Sequence, residues 1–262
     1  MPVEKTTIHD LGAAAISGCE AILCDLDGCL IAGDHVFPNA RDFVEAHADR
    51  LWIVSNNSSD TADTLSRRIA ALGLGINPER ILLAGEQAVR RIAGTRPGAS
   101  VSIYGAMPIQ ALASSLGLRF GGVEPEIVLL ARDAEFSLQR LSKLLGELHR
   151  GADFIVTNID TAHPDADGRP VPETGAILAA IHACEPSIRF ETIGKPKPDL
   201  VEIALQMSGA DPAASVFIGD NDSTDGKAAA AAGVAFLHLR RTAVNGVATA
   251  GAAYTAAGQG AL

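Results

Sequence analysis

Residues 21–28 read Ala21-Ile22-Leu23-Cys24-Asp25-Leu26-Asp27-Gly28, an apolar run of four residues that ends in two aspartates and a glycine. Short apolar runs without polar alternation are typical of parallel strands that are buried on both faces. Ligands of open α/β sheets bind at the carboxyl ends of such strands. We therefore expect this stretch to form a strand of a parallel sheet and one part of a binding site.

The same pattern recurs along the chain. Leu51-Trp52-Ile53-Val54 precedes Ser55-Asn56-Asn57, and Val216-Phe217-Ile218 precedes the polar segment 219–225. A fourth polar signature is Lys195, which lies in a segment whose prolines restrict the backbone. One site could collect carboxylates, a hydroxyl, loop amides and a lysine from these segments. That set suits a divalent metal, a phosphoryl group and an aspartate nucleophile.

Strand and helix patterns alternate along most of the chain, which indicates an α/β fold with a parallel sheet. The pattern predicts strands at 80–84, 101–104, 127–130 and 154–156, helices at 60–72, 86–93, 109–116, 138–149 and 175–183, and a final strand beginning at Ala252. The four polar signatures all lie outside the middle block. The economical interpretation is a core of residues 1–85 and 190–262, interrupted by an inserted α/β domain of residues 86–189.

The composition excludes several classes of protein. The 262 residues are 47% hydrophobic and 20% charged, with a net charge of -10, so a sizeable core is available and binding to nucleic acid is not expected. The four cysteines form no CxxC pair, and no apolar stretch reaches the length of a membrane span or of a signal-peptide core. We expect a cytoplasmic protein without a membrane partner.

Asp25 and Asp27 are two residues apart, so in an extended segment both side chains lie on one face. One carboxylate can attack phosphorus to form an aspartyl phosphate, and the second can transfer protons to and from the leaving oxygen and water. The alternative is an ordinary strand-end turn, because Asp and Gly are common turn residues.

Asp220 and Asp225 are candidate ligands of Mg²⁺, which prefers oxygen and keeps several waters. Asp225 could instead orient a water or Lys195. An EF-hand is excluded, because counting from Asp220 the sixth and twelfth positions are Asp225 and Ala231. The alternative to metal binding is a structural role, in which this loop precedes a helix and one aspartate is the N-cap.

Ser55, Asn56 and Asn57 precede a predicted helix, where a hydroxyl and loop amides can bind an anion. Helix capping is their alternative role. Lys195 could balance the charge of the nucleophile and stabilise a trigonal phosphoryl group, or be a solvated surface lysine. The chain has no Gly-x-Gly-x-x-Gly, Walker or Gly-x-Ser-x-Gly motif.

Taken together, these motifs resemble those of the haloacid dehalogenase (HAD) superfamily, in its branch of p-nitrophenyl, pyridoxal, phosphoglycolate and sugar- or nucleotide-phosphate phosphatases. The resemblance implies a HAD-like Rossmannoid core with a parallel sheet and a large inserted α/β cap. It implies Mg²⁺ as cofactor and a small phosphorylated metabolite as partner, and it leaves open a homodimer through the cap.

The resemblance also implies a role for each core motif. Asp25 would be the nucleophile and Asp27 the general acid and base, with Ser55 and Lys195 completing the catalytic set. The expected metal site comprises Asp25, Asp27 through its carbonyl, Asp220 and Asp225, and the expected phosphoryl and substrate contacts are Ser55, Asn56, Asn57, Lys195, Asn158 and Asp160.

The inserted domain matches the family less closely. Pro172-Glu173-Thr174-Gly175 stands where the family has a more glycine-rich segment. Asn158, Asp160 and His163 are candidate substrate contacts, with a simple turn as the alternative. The resulting hypothesis is a Mg²⁺-dependent hydrolase of small phosphomonoesters that acts through an aspartyl phosphate. Phosphotransfer to another acceptor, as in a mutase, and a non-catalytic binding protein of the same fold are the alternatives.

Overall fold

The structure, a computed structural model, describes residues 5–122, 124–165 and 169–241. Its strands in chain order are β1 (Lys5–Ile8), β2 (Ala21–Cys24), β3 (Ile31–Ala32), β4 (His35–Val36), β5 (Leu51–Ser55), β6 (Ile81–Leu83), β7 (Val101–Tyr104), β8 (Ile127–Leu130), β9 (Asp153–Val156), β10 (Ala162–Pro164), β11 (Pro170–Pro172), β12 (Glu191–Thr192), β13 (Ser215–Gly219) and β14 (Ala235–Leu239). Its helices are α1 (Ala40–Ala46), α2 (Ala62–Ala71), α3 (Ala84–Thr95), α4 (Met107–Ser115), α5 (Leu138–His149), α6 (Thr174–Cys184), α7 (Asp199–Ser208) and α8 (Lys227–Ala231). The strand predicted from Ala252 lies outside the described residues.

The larger sheet has six strands in the order β1-β14-β13-β2-β5-β6, and every neighbouring pair is parallel. Its two faces are both buried. Ile22 and Cys24 of β2 belong to the apolar cluster on one face with residues of α1 and α2, whereas Ala21 and Leu23 belong to the cluster on the other face with residues of α7 and α8. Burial of both faces explains why β2, β5 and β13 read as continuous apolar runs.

The smaller sheet has four parallel strands in the order β12-β9-β8-β7. All four lie between β6 and β13 in the chain, and α5 and α6 contribute to the apolar cluster on this sheet. The predicted fold class, a parallel α/β core with an inserted α/β unit, is thereby confirmed. We retain the division at residues 86 and 189 as a proposal, and note that β12, at 191–192, pairs with β9 of the smaller sheet.

The periodic elements are where the sequence predicts them. β7, β8 and α5 match the predicted ranges residue for residue, and α2 begins after Thr61, whose side chain and that of Thr64 form a capping box. The two short antiparallel hairpins, β3–β4 and β10–β11, were not predicted. Within the described ranges, no helix combines the length and the apolar character that crossing a membrane requires.

Candidate active site

Three neighbouring strands of the larger sheet bring their carboxyl ends to one edge. Asp25 follows β2, and its backbone N–H donates a 2.9 Å hydrogen bond to the carbonyl of Ile218 in β13. Carboxylate oxygens of Asp25, Asp220 and Asp225 all lie within 4.8 Å of one another. The side chains of three of the four predicted metal residues therefore meet, and Asp27, expected to act through its carbonyl, lines the same cavity.

Gly28 allows this close approach. Its φ is +79°, and a Cβ atom at this position would lie 2.1 Å from Oδ2 of Asp220. No other residue type fits without moving Asp220, because a side chain would be strained in this conformation and would also overlap the carboxylate. The glycine after the two aspartates is therefore required by the geometry of the acidic cluster.

Lys195 is buried at the centre of the site, with only 1% of its surface exposed. Its Nζ lies 2.9 Å from the carbonyl oxygen of Val54, 2.9 Å from Oδ1 of Asp25 and 2.7 Å from Oδ1 of Asp225. Burial alone would lower the pKa of Lys195, but the two carboxylates outweigh it and raise the pKa above its usual value. An ammonium group has three N–H donors, so in this arrangement Lys195 orients the carboxylate of Asp25 with all of them engaged.

The acidic side chains have raised pKa values. Burial raises the pKa of Asp25 to about 7, even though Lys195 acts to lower it. Burial and the charge of Asp25 raise the pKa of Asp27 to about 6, and burial together with Asp225 and Asp25 raises that of Asp220 well above its usual value. So many buried carboxylates beside a single lysine favour a bound cation, and a donor set made only of oxygen suits a hard divalent ion.

One prediction follows from this crowding. When folding raises the pKa of a carboxyl group, its ionised form lowers the free energy of unfolding at neutral pH. This loss of stability disappears as the pH falls through the pKa of the folded state. We therefore expect Asp220→Asn to raise the melting temperature of the protein in chelator, by about 2–4 °C if the gain is about 1 kcal/mol. It should also abolish the further stabilisation by added Mg²⁺.

Thermal unfolding with chelator and with Mg²⁺ checks this expectation, and the exposed Asp49→Asn is the matched control that should change neither value. A lower melting temperature in chelator, combined with undiminished stabilisation by Mg²⁺, would show that Asp220 is not part of a cation site.

The loop from Ser55 to Ser59 follows β5 and lines the cavity. Ser55 is 2% exposed, and its Oγ accepts a hydrogen bond from the backbone N–H of Asn57 at 3.1 Å, which leaves its own proton available. The Oδ1 of Asn57 accepts from the N–H groups of Ser59 and Asp60, and its Nδ2 donates to Asp60. The side chain of Asn57 thus shapes the loop, and its backbone groups are engaged by Ser55 and by the N–H of Gly85.

Asn56 joins three segments of the chain. Its Oδ1 accepts from the N–H of Lys195 at 2.8 Å, and its Nδ2 donates to the carbonyl of Lys195 at 3.0 Å and to Oδ2 of Asp160 at 2.7 Å. Asn158 is 1% exposed and donates to the same oxygen of Asp160 at 3.0 Å. The loop after β9 therefore contacts the loop after β5 in the core, with Asn158 holding Asp160 in place.

Ser58 makes a second connection between the core loop and the inserted unit. It is 1% exposed, its Oγ accepts from the backbone N–H of Arg132 at 3.0 Å, and it lies 3.2 Å from Oγ1 of Thr174. Arg132 follows β8, and Thr174 is the first residue of α6. The loop that contains Ser55 and Asn56 is thus hydrogen-bonded to three separate segments of the inserted unit.

Several residues of the cavity wall were not singled out from the sequence. Arg68 of α2 and Arg132 carry no motif, although Arg132 follows a strand of the smaller sheet and could have been found by the same strand-end argument. Glu173 accepts from His163 at 2.7 Å and contacts Nε of Arg132 at 3.1 Å. The hydrogen bond with Glu173 raises the pKa of His163.

All the predicted site residues except Asp225 line a single cavity of about 390 Å³. Asp225 lies just behind it, fully buried, with Oδ1 at Lys195 and Oδ2 accepting from the N–H of Asn221. Both its oxygens are engaged, which fits the alternative in which Asp225 orients Lys195. The cavity extends from the acidic cluster to His163 and Arg132, so it can hold a phosphoryl group and a larger leaving group.

Comparison with protein families identifies similar sequences. Residues 22–119 match the family model described as haloacid dehalogenase-like hydrolase, and residues 192–255 match a second model of HAD-like hydrolases. The two matched segments contain all the core signatures, from the strand that precedes Asp25 to the segment that contains Asp225.

Curated relatives cover most of the chain. Chronophin from Mus musculus is 30% identical over 223 residues, which are 79% of this chain and 75% of that protein. Dihydroxyacetone phosphatase from Corynebacterium glutamicum is 29% identical over 221 residues, 83% of this chain and 80% of that protein. Both alignments span the core and the inserted unit.

Solved structures are similar over the same extent. The p-nitrophenyl phosphatase from Archaeoglobus fulgidus superposes with a TM-score of 0.75 at 26% identity, covering 83% of this chain and 85% of that one. The 4-nitrophenylphosphatase from Thermotoga maritima gives a TM-score of 0.78 at 25% identity, covering 85% and 86% of the two chains.

Proposed function

Because this chain belongs to the haloacid dehalogenase-like hydrolases, as a phosphatase of their subclass IIA, we propose that it hydrolyses small phosphomonoesters with Mg²⁺ through an aspartyl phosphate on Asp25. The observation that carries this proposal is the position of the Asp25 carboxylate. It lies 2.9 Å from Nζ of Lys195, within 4.8 Å of the Asp220 and Asp225 oxygens, and at the wall of a cavity that also contains Asp27.

In the first step, an oxygen of Asp25 bonds to phosphorus while the bond from phosphorus to the leaving oxygen breaks. Asp27 gives its proton to that leaving oxygen, which is then released as an alcohol. Lys195 acts to lower the pKa of Asp25 and orients its carboxylate for attack. The hydroxyl of Ser55 is a donor available to the phosphoryl oxygens.

In the second step, water attacks the phosphorus of the aspartyl phosphate. Asp27, now a carboxylate, takes a proton from the water, and phosphate leaves as the Asp25 carboxylate is regenerated. A pKa of about 6 suits Asp27 to both directions of proton transfer near neutral pH. Asp25, the Asp27 carbonyl and Asp220 would hold Mg²⁺, which would supply positive charge to offset repulsion between the phosphoryl oxygens and the nucleophile.

Phosphotransfer and non-catalytic binding are the two alternatives to hydrolysis. A transferase or mutase would pass the phosphoryl group to a second organic acceptor, whereas a cavity lined by both the core and the inserted unit favours water. A non-catalytic binding protein of the same fold would not need the nucleophile, the acid and the lysine together in one buried site. Hydrolysis is therefore the function that the arrangement supports best.

The direct test is release of inorganic phosphate from sugar, nucleotide, glycerol, glycolate and pyridoxal phosphates, with Mg²⁺ and with excess chelator. We expect release that depends on the metal, and stabilisation of the protein by beryllium fluoride with Mg²⁺ as a mimic of the aspartyl phosphate. Full turnover in chelator would exclude the metal site, and phosphate found only on a second organic acceptor would favour the transferase.

A further prediction concerns the proton that Asp27 donates. An alkoxide leaving group needs this proton, whereas p-nitrophenolate leaves readily without it. We expect Asp27→Asn to lower kcat/KM for an alkyl phosphate by about 10²–10⁴-fold and to lower it much less for p-nitrophenyl phosphate. Initial rates on both esters measure the difference, and equal losses on the two would indicate that Asp27 acts in some other way.

The roles of Asn158 and Asp160, the oligomeric state and the location of the protein stay proposals. Asn158 and Asp160 are expected to influence which ester is preferred, and the homodimer through the cap and the cytoplasmic location are not needed by the mechanism. The chain's net charge of -10 supports the expectation that nucleic acid is not a partner.

A further inference from the structure

The part of the cavity wall that belongs to the inserted unit carries three ionisable side chains in contact. Oε1 of Glu173 lies 2.7 Å from Nδ1 of His163 and 3.1 Å from Nε of Arg132. We call these three residues the Glu173 cluster. One carboxylate thus holds two basic side chains on the side of the cavity that would face the leaving group.

The guanidinium of Arg132 keeps most of its donors. Only its Nε is engaged, at 3.1 Å from Glu173 and 3.4 Å from the carbonyl of Pro172. For the part of the chain that the structure describes, no hydrogen bond or ion pair is found for its two terminal nitrogens. The side chain is 31% exposed and lines the cavity. A planar fork of four free N–H donors is suited to bind a carboxylate or a phosphoryl group.

Two other acidic side chains of the inserted unit, Asp160 and Asp165, line the same cavity, and both accept hydrogen bonds. Oδ2 of Asp160 accepts from the amides of Asn56 and Asn158, and Oδ1 of Asp165 accepts from the N–H of Arg169. An anion that approaches a chain with a net charge of -10 needs such a local positive group.

We propose that Arg132 binds a second anionic group of the substrate, a carboxylate or a second phosphoryl group, and that Glu173 positions the guanidinium for this contact. The proposal rests on the phosphatase activity proposed above and narrows its substrate class. Arg132 follows β8 in the inserted unit, whereas Asp25 and Asp27 follow β2 in the core, so the two anionic groups of one substrate would be held by different units of the protein.

The test uses pairs of esters that differ by one anionic group. Glycerol 3-phosphate and 3-phosphoglycerate differ by a carboxylate, and fructose 6-phosphate and fructose 1,6-bisphosphate differ by a second phosphoryl group. We expect the doubly anionic member of at least one pair to have the higher kcat/KM. The pair that shows this preference tells whether Arg132 binds a carboxylate or a second phosphoryl group. Arg132→Gln should remove about tenfold to a hundredfold of that advantage, the usual worth of charge-assisted hydrogen bonds.

Controls separate this inference from the activity on which it rests. The variant Arg132→Gln keeps the backbone N–H that binds Ser58, so its loss on the doubly anionic ester should exceed any loss on p-nitrophenyl phosphate, which has no second anionic group. Arg119 is an exposed arginine of the inserted unit that lies outside the cavity. The control variant Arg119→Gln should therefore leave the ratio of kcat/KM within each pair of esters unchanged.

If the wild type hydrolyses p-nitrophenyl phosphate but prefers neither doubly anionic ester, the second anion site is wrong and the phosphatase proposal stands. An equal loss on every ester in Arg132→Gln would also overturn the inference, because it would assign Arg132 a structural role. If the wild type hydrolyses no ester with Mg²⁺, the proposed function itself fails.

Discussion

Replacing Asp25 by asparagine should reduce phosphate release by about 10⁴-fold or more, because an amide oxygen is a poor nucleophile and cannot form the aspartyl phosphate. The substitution is nearly isosteric, and Lys195 retains Val54 and Asp225 as partners, so the fold should persist. Steady-state phosphate release with Mg²⁺ measures the loss, and circular dichroism checks the fold.

Asp49→Asn is the matched control, because Asp49 is exposed and lies outside the cavity. The activity of this variant should equal that of the wild type. Activity close to the wild-type rate in Asp25→Asn would end the covalent mechanism. Labelling with a radioactive phosphoester and acid quenching adds an independent observation, since labelled protein should be trapped in the wild type and absent from the variant.

Replacing Lys195 by methionine should have the largest combined effect. The substitution leaves Asp25 and Asp225 buried side by side without their shared cation, and breaking a buried ion pair from one side typically costs about 3–5 kcal/mol. We expect a loss of stability in that range in chelator, together with a loss of turnover of about 10³-fold or more, because the pKa of Asp25 rises further without the lysine and its carboxylate is no longer oriented.

A second variant separates these two effects. In Lys195→Met/Asp225→Asn only one of the two facing carboxylates remains charged, so much of the stability should return while turnover stays low. Urea unfolding and phosphate release on the same preparations compare them. Stability equal to the wild type in Lys195→Met alone would mean that the lysine does not hold the two carboxylates together, and recovery of turnover in the double variant would remove it from the catalytic set.

Much of this site could be predicted from the sequence because its polar residues directly follow the apolar runs that form the strands. The apolar runs before Asp25, Ser55 and Asp220 are continuous since β2, β5 and β13 are buried on both faces, and parallel neighbours must end at the same edge. The helix α5 was predicted residue for residue because its leucines keep a helical spacing. Thr61 signalled the start of α2 through its cap.

Other features depend on contacts that no local pattern encodes. The strand β1 is exposed at three of its four positions, so at the edge of the sheet it has no apolar run to reveal it. The contact between Arg132 and Glu173 joins positions 41 residues apart in sequence, and the contact between Asn56 and Asp160 spans 104 residues. Such pairs arise from tertiary packing, and only a structure brings them together.

The hydrogen bonds of Asn56 and Ser58 to the inserted unit have a consequence for protein engineering. A chimaera that receives its inserted unit from another phosphatase would lose the carboxylate of Asp160 and the hydroxyl of Thr174 unless the donor supplies equivalents. Because these partners touch the loop that carries Ser55, a mismatched graft would impair the recipient's own phosphate site as well as its choice of ester. The inserted unit is therefore not an interchangeable module, and exchanges of specificity are better attempted at the cavity wall than at the domain junction.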